Sequence, residues 1–245
     1  MLRVFVRAND VEGDVVRIGG AERRHLRTLR LGPGARLVVF DEAGVEREVE
    51  IAAVGPRTVE ARVVAIRAGA RESALDLVLA PALLKGDKMD LVVEKATELG
   101  VRRIAPVASR HVVGRGARAE RWRRIALAAA KQSGRTAVPV VDAPVPLGRL
   151  LAGAWPGVRL LAWEDERTTP FTALPPSADA AIVVLGPEGG FDDAEVAEAR
   201  AHGFVTVSLA PRVLRAETAA LVAVALCQHR WGDLGRPLSS TSGVG

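Results

Sequence analysis

The stretch LGPEGGF at residues 185–191 follows a continuous apolar run, AAIVVL, at residues 180–185. Such a run predicts a strand buried on both faces, as in a parallel sheet. After the glycines, Asp192 and Glu195 have the spacing of a capping box, which predicts the start of a helix. A strand, a glycine loop and a helix in this order place backbone amides where dinucleotide-binding proteins hold a pyrophosphate.

The chemistry of this loop disfavours a phosphate, because Glu188 lies inside it. A carboxylate at the start of a helix repels a polyanion strongly in a low-dielectric site. The same residue, and the lack of a full glycine fingerprint followed by a ribose-binding acid, disfavour a nucleotide-dependent oxidoreductase. The loop therefore predicts a ligand that is not polyanionic, and its alternative interpretation is a tight turn between a strand and a helix.

The sequence on either side of the loop shows two patterns. Up to about residue 70, alternating residues predict antiparallel strands with one wet face, as in a small barrel. From residue 75 onward, short apolar runs alternate with helical patterns, which predicts an α/β fold with a mostly parallel sheet. Strands are predicted at 75–79, 104–108, 138–141, 160–163, 182–185 and 205–209, and helices at 22–30, 88–99, 121–132, 193–202 and 218–231.

These patterns predict two domains, at residues 1–70 and 71–235, and a disordered tail at residues 236–245. Ligands of such α/β folds lie outside the carboxyl ends of the strands. Because Leu185 and Leu209 are both predicted to end strands, the loops that follow them are expected to meet at one crevice.

The composition favours a soluble protein of a reducing compartment. The 245 residues, 49% of them hydrophobic, suffice for one large core or two smaller ones. The single cysteine, Cys227, excludes an internal disulfide and lies in an apolar stretch typical of a core. No apolar run has the length of a membrane span, so we expect a cytoplasmic protein without a membrane partner. The four histidines lack metal-ligand spacing, so no metal is expected.

Positive charge is concentrated in one segment, although the net charge is only +5. Between Arg102 and Arg135, ten basic residues accompany a single acid, Glu120, so this segment carries +9. Such a segment is typical of proteins that bind a nucleic-acid backbone. Its alternative interpretation is a solvated helix face in a chain with 30 Arg and 4 Lys. The arginine-rich helix predicted at 22–30 is a second candidate for contact with RNA.

Several motifs occur in order along the chain. They are KGDKM at 85–89, EKATELGV at 94–101, AAAKQSGR at 128–135, GPEGG at 186–190 and RVLRAETA at 212–219, preceded by HLRTLRLGPG at 25–34. In this order they closely resemble the bacterial 16S ribosomal RNA uridine-N3 methyltransferases of the SPOUT superfamily. The resemblance covers nearly the whole chain.

The resemblance implies a fold, partners and a reaction. It implies an N-terminal β-barrel of the PUA-like type that binds RNA, a C-terminal SPOUT domain with a trefoil knot, and a homodimer. It also implies S-adenosyl-L-methionine as cofactor and methylation of N3 of a specific uridine in 16S rRNA of the small ribosomal subunit. The alternatives are a SPOUT methyltransferase for another rRNA or tRNA nucleotide, and a noncatalytic ribosome-assembly protein that binds RNA.

The resemblance also places the cofactor loops on this chain. A positive sulfonium without phosphate suits a glycine turn that contains a carboxylate, and glycines let the backbone approach the ligand. The expected cofactor-binding residues are Leu185, Gly186, Pro187, Glu188, Gly189, Gly190, Leu209, Arg212, Val213, Leu214 and Thr218.

Methylation at uridine N3 requires the imide proton to leave and the nitrogen to align with the methyl group. Arg215 is expected to stabilise the developing oxyanion and Glu217 to accept or relay the proton, unless the two form an ion pair that caps the last helix. Lys85 and Lys88 are expected to reach a phosphate or else to cap and solvate a helix. The expected RNA-binding residues are Arg3, Arg23, Arg24, His25, Arg27, Arg30, Lys88, Arg110 and Arg135.

Overall fold

The computed structural model describes residues 1–67, 72–108 and 119–236 and divides them into two compact units. The first unit contains residues 1–67, 72 and 130–138, and the second contains residues 73–108, 119–129 and 139–236. Residues 130–138 therefore group with the N-terminal part of the chain, from which the linear prediction separated them. The predicted boundary at residues 70–71 and residues 237–245 of the predicted tail lie outside the described residues.

The described N-terminal residues of the first unit form six strands and one α-helix. They are β1 (Arg3–Phe5), β2 (Val11–Glu12), β3 (Val15–Ile18), α1 (Gly20–Thr28), β4 (Arg36–Phe40), β5 (Glu46–Val54) and β6 (Val59–Arg67). The strands form one sheet in the order β1-β4-β5-β6-β3-β2, in which the β1–β4 pair is parallel and the other pairs are antiparallel.

The core of this unit follows the alternation of its strands. Val49 and Ile51 of β5 are buried, whereas Glu48 and Glu50 are half-buried, as alternation along a strand predicts. Leu26 holds α1 against the same core. Helix α1 ends at Thr28, two residues before the predicted end at Arg30. Arg30 has a left-handed backbone with a φ of 55° and lies outside the helix.

The remaining elements belong to the second unit, except that α3 continues into residues 130–133 of the first. The strands are β7 (Asp76–Pro81), β8 (Arg103–Ile104), β9 (Val107–Ala108), β10 (Val140–Val141), β11 (Val145–Pro146), β12 (Val158–Ala162), β13 (Ala180–Leu185) and β14 (Val205–Val207). The helices are α2 (Lys88–Glu98), α3 (Ala119–Ser133), α4 (Leu147–Leu151), α5 (Asp193–Ala201) and α6 (Ala216–Trp231).

Six of these strands form a sheet in the order β10-β8-β7-β13-β12-β14, and all of its neighbouring pairs are parallel. A separate parallel pair joins β11 and β9. The prediction of an α/β fold with a mostly parallel sheet is therefore confirmed. Because β13 lies inside the sheet between β7 and β12, its apolar run is buried on both faces.

The glycine loop leads into α5 through the predicted capping box. Asp192 Oδ1 accepts a hydrogen bond from the backbone N–H of Glu195 at 2.8 Å, and Glu195 Oε2 accepts one from the backbone N–H of Asp192 at 3.1 Å. Gly203, with a φ of 79°, follows the end of the helix. These local signals set both ends of α5.

Several predicted strands differ from the observed ones by one or two residues at an end, and two of the differences bear on the fold near the site. The run 104–108 forms two short strands, β8 and β9, because Pro106 between them has no N–H to donate to a ladder. The strand predicted at 205–209 ends at Val207, so Leu209 lies in the following loop and does not end a strand.

Cys227 is a core residue of α6, as predicted, and burial raises the pKa of its thiol to about 12. Among the described residues, no helix has both the length and the apolar character needed to cross a membrane. The described part of the chain also brings together no group of three or more His, Cys, Asp or Glu residues that could hold a metal ion.

Candidate cofactor cavity

The second unit contains a cavity of about 450 Å³ at the carboxyl ends of its central strands. The loops that follow β12, β13 and β14 form most of its lining. Lys88, the first residue of α2, and the start of α6 complete it. This is the place where open parallel sheets bind their ligands.

Most of the predicted cofactor-binding residues lie at this cavity. Its lining includes Leu185, Gly186, Pro187, Glu188, Gly190, Leu209, Arg212, Val213 and Leu214. Gly189 and Thr218 are exposed and do not line it. The loops after β13 and β14 therefore share one crevice, although they are remote in sequence.

The glycine loop requires small residues at two positions. Gly190 has a φ of 71°, and a Cβ built on it would lie 1.8 Å from Oε1 of Glu164. A Cβ built on Gly186 would lie 3.3 Å from the ring of Phe191, which is buried. Gly190 thus has a conformational and a steric reason to be glycine, and the loop fits closely against the Glu164 carboxylate.

Lys88 links the glycine loop to the last helix. Its Nζ donates to Glu188 Oε1 at 2.9 Å and lies 3.4 Å from Glu217 Oε2. Burial opposes ionisation of Glu188, but hydrogen bonds from Lys88 and from the backbone N–H groups of Glu188 and Lys85 outweigh it and lower the pKa of that carboxyl. The hydrogen bond to Glu188, with added attraction from Glu217, raises the pKa of Lys88. Lys88 is therefore a cation held between two carboxylates.

Arg215 and Glu217 do not form the ion pair that was the alternative to a catalytic role. Arg215 is the N-cap residue of α6, and its exposed side chain lines the cavity without a hydrogen bond or ion pair to any described residue. Glu217 lies in the first turn of α6, pairs with Lys88 and does not line the cavity. Its Oε2 atom is buried, and its contact with Lys88 is an ion pair and not a hydrogen bond. Of these two residues, only Arg215 lines the cavity.

Sequence analysis missed the third wall of the cavity, which follows β12. Ala162, Trp163 and Glu164 line this wall. The guanidinium of Arg200 lies over the Trp163 ring, 5.6 Å from its centroid. A signal was present, since the apolar run at 158–162 is followed at once by WEDE, and polar residues at the carboxyl end of a parallel strand lie where ligands bind.

Glu166 holds the loop after β12 in place. Its buried carboxylate accepts hydrogen bonds from the hydroxyl and backbone N–H of Thr168, from the backbone N–H of Thr169, and from Thr206 Oγ1 at 2.6 Å. The hydrogen bonds from the Thr168 and Thr206 hydroxyls are the main cause that lowers the pKa of Glu166 to about 2. The ionised carboxylate therefore fixes the loop that forms the third wall.

Four of the predicted RNA-binding residues are exposed on the first unit. They are Arg24, His25, Arg27 and Arg30, on α1 or just after it. Arg23, on the same helix, instead donates from Nε and Nη2 to the backbone oxygen of Gly55 at 3.1 and 2.9 Å. The exposed residues form the basic face of α1.

The guanidinium groups of Arg3 and Arg135 form hydrogen bonds and ion pairs within the first unit. Arg135 is 3% exposed and donates to the Glu72 carboxylate, with Nη2 2.6 Å from Oε2. Arg3 donates to Glu46 at 2.7 Å and to the backbone oxygen of Arg135 at 2.8 Å. Their guanidinium groups thus have internal partners, and RNA contact by these two arginines stays a prediction. Arg110 lies outside the described residues.

Acidic residues neutralise much of the basic segment at 102–135. In its described part, Arg103 pairs with Asp142, Arg121 with Asp90, Arg123 with Glu120, Lys131 with Glu22 and Arg135 with Glu72. All of these acids except Glu120 lie outside the segment in sequence. The charge counted along the chain therefore overstates the positive surface of this part, while residues 109–118 lie outside the described ranges.

The sequence matches two family models. Residues 71–228 match an RNA methyltransferase domain, and residues 18–64 match an RNA methyltransferase PUA domain. The chain is 30% identical over 234 residues to the ribosomal RNA small subunit methyltransferase E of Mesomycoplasma hyopneumoniae (strain 232), a match that covers 93% of this chain and 99% of that protein. It is 31% identical to the protein of the same name from Bacillus subtilis (strain 168), covering 89% of this chain and 91% of the relative.

The fold is similar to a solved structure of the same kind. The crystal structure of a ribosomal RNA small subunit methyltransferase E from Neisseria gonorrhoeae, bound to S-adenosyl methionine, superposes with a TM-score of 0.89 at 31% identity. The superposition covers 96% of this chain and 99% of that one. With two matched domains, and with relatives matched over nearly their whole length, this chain belongs to the ribosomal RNA small subunit methyltransferase E family of RNA methyltransferases.

Proposed function

We propose that this protein transfers a methyl group from S-adenosyl-L-methionine to N3 of a specific uridine in the 16S rRNA of the small ribosomal subunit. The observation that carries the proposal is the cavity, where the loops containing GPEGG and RVLRAETA line one space at the carboxyl edge of a parallel sheet. The names of the relatives, one of them bound to that cofactor, support the substrate class and the methyl donor.

The residues at the cavity fit this cofactor. Leu185, Leu209 and Leu214 offer apolar surface to an adenine, and the glycine loop lets the backbone come close. The carboxylate of Glu188 suits a cationic sulfonium and would repel a phosphate. When bound, the cofactor supplies an activated methyl group.

We assign charge stabilisation at the uracil to Arg215. Its guanidinium is exposed at the cavity, and no described residue occupies it, so it is available to a carbonyl oxygen that gains charge as N3 loses its proton. The N-terminal end of α6 adds a positive dipole at the same place. Lys88, fixed between Glu188 and Glu217, keeps the glycine loop and α6 together.

RNA binding is assigned to the basic face of α1. The exposed arginines on α1 and just after it suit the phosphate backbone, which carries most of the affinity in such complexes. The match of residues 18–64 to an RNA methyltransferase PUA domain supports this assignment.

The proposal includes three finer features that the family resemblance implies, namely a trefoil knot in the second unit, a closed barrel in the first and a homodimer. The parallel sheet with its ligand loops agrees with a SPOUT domain, and the match at residues 18–64 agrees with a PUA-like barrel. Light scattering on the purified protein tests the dimer, for which we expect twice the mass of one chain.

Mass mapping of rRNA from a strain that lacks the gene tests the proposed reaction. We expect one N3-methyluridine to disappear from 16S rRNA and to return when the gene is restored. Loss of a modification elsewhere would favour the alternative methyltransferase, and an unchanged map would favour the noncatalytic protein. Calorimetry with S-adenosylmethionine and with a dinucleotide tests the donor, and only the first should bind.

A further inference from the structure

Glu164 is a cavity carboxylate for which the proposed reaction has so far no use. It comes two residues after β12, it is exposed, and no described residue forms a hydrogen bond or an ion pair with its carboxylate. Gly190 makes room for it, since a Cβ at that position would lie 1.8 Å from Glu164 Oε1. The glycine loop is therefore shaped around a carboxylate that has no partner within the described protein.

Methylation of uridine N3 requires a proton acceptor, because the imide nitrogen has to lose its proton to form a neutral product. Lys88 and Arg215 line the cavity but are cations. Glu188 accepts a hydrogen bond from Lys88, which makes its carboxylate a weaker base, and Glu217 does not line the cavity. Among the described residues of the lining, Glu164 is the carboxylate that is left to accept a proton.

We propose that Glu164 is the catalytic proton acceptor for uridine N3, an inference that rests on the proposed function. The N3 proton forms a bond to a carboxylate oxygen of Glu164, and the electron pair of the N–H bond stays on the nitrogen. That pair is then available to the methyl group of the sulfonium donor, and Glu164 later returns its proton to water.

Proton acceptance and charge stabilisation are separated within the cavity. The other charged residues of its lining are Lys88 and Glu188, which pair with each other, and Arg212 and Arg215 on the loop before α6. Arginines that face the uracil favour its anionic form, while a carboxylate on the wall after β12 removes the proton. Charge stabilisation needs a positive side chain and proton acceptance needs a negative one, so the two tasks suit residues on different loops.

Single-turnover methylation of small subunits that lack the modification tests this role, at saturating S-adenosylmethionine and over a range of pH. The variants are Glu164→Gln and, as matched control, Asp165→Asn, since Asp165 is exposed, pairs with Arg167 and does not line the cavity. We expect Glu164→Gln to lower the rate at neutral pH by about 100-fold or more, and the variant to regain about tenfold per pH unit as solution base replaces the carboxylate. The control should follow the wild type at every pH.

Two measurements do not depend on turnover. Calorimetry should give Glu164→Gln nearly wild-type affinity for S-adenosylmethionine, and its melting temperature should be unchanged. Much weaker affinity, with the rate restored by excess cofactor, would make Glu164 a cofactor ligand and overturn the inference. A wild-type rate, or a lowered rate with an unchanged pH profile, would overturn it as well. A wild-type protein that leaves uridine N3 unmethylated would refute the proposed function itself and this inference with it.

Discussion

Replacing Gly190 with alanine probes how the glycine loop and Glu164 depend on each other. Gly190 has a φ of 71°, and a Cβ there would lie 1.8 Å from Oε1 and 2.9 Å from Cδ of Glu164. A non-glycine residue in the left-handed region costs about 1–2 kcal/mol. Loss of glycine's freedom in the unfolded chain offsets about 0.4–1 kcal/mol of this. We therefore expect Gly190→Ala to lower the free energy of unfolding by only about 1 kcal/mol.

The effect on turnover should exceed the effect on stability. The added Cβ takes the place of the Glu164 carboxylate, which is exposed and has no described partner, so the side chain moves away at little cost to the fold. If Glu164 accepts the N3 proton, its displacement removes much of the roughly 100-fold that a positioned base contributes. We expect the single-turnover rate of Gly190→Ala to fall by at least about tenfold.

Urea unfolding and single-turnover methylation on the same preparations check both values. Gly203→Ala is the matched control, because Gly203 also has a positive φ, 79°, does not line the cavity, and a Cβ there would lie no closer than 3.8 Å to another group. A wild-type methylation rate for Gly190→Ala would refute the reasoning. So would a loss of stability of about 2–5 kcal/mol, the range of a large core truncation, because the Glu164 side chain would then be held and not free to move.

Three further predictions concern single residues. Arg215→Lys should lower the single-turnover rate strongly, because an ammonium does not reproduce the planar guanidinium fork. Cofactor affinity and melting temperature should change little. A normal rate would remove Arg215 from the catalytic residues. The pKa of Glu166 is lowered from 4.5 to about 2, so the stability from its carboxylate is present above pH 4.5 and is lost as the pH falls through 2. Urea unfolding should show Glu166→Gln less stable than wild type by at most about 3 kcal/mol at pH 7 and nearly equal near pH 2, whereas a pH-independent difference would contradict this origin. Arg24→Ala and Arg27→Ala should weaken RNA binding and flatten its salt dependence, while the free energy of unfolding stays unchanged. Arg23→Ala should instead lower the free energy of unfolding, because the Gly55 carbonyl loses its hydrogen bonds. Filter binding at two salt concentrations and urea unfolding separate the two effects.

The parts of the fold that could be predicted are those set by neighbours in sequence. The run at 180–185 is apolar throughout because both faces of β13 are covered, and the Asp192 capping box needs only residues within one turn. The wall at Trp163 and Glu164 depends on β12 pairing with both β13 and β14, which are distant in sequence. Period and propensity carry no information on strand order, so the sequence pattern did not show that the loop after β12 lies beside the loops after β13 and β14.

Charge patterns failed for a related reason. A count along residues 102–135 treats each arginine as exposed, yet Arg135 is buried against Glu72, 63 residues away in sequence. A buried guanidinium with a carboxylate partner ties two segments together and offers little to a phosphate outside. Among the described residues, Arg24 and Arg27 of α1 are exposed and have no acidic partner, so this helix keeps the basic surface that its composition predicts.

The three carboxylates near the cavity differ in what they can do because their partners differ. Glu217 is 14% exposed and lies 3.4 Å from Lys88 Nζ, while Glu188 is 31% exposed and accepts a hydrogen bond from Lys88 at 2.9 Å. A buried carboxylate without such a partner would cost the fold several kcal/mol, roughly, whereas an exposed one at the mouth of a cavity costs little. Glu164 is exposed and its carboxylate has no partner among the described residues, so it stays open to a substrate. Gly190 leaves space for the Glu164 carboxylate, so these two residues, ahead of Glu217, should decide the rate of proton removal.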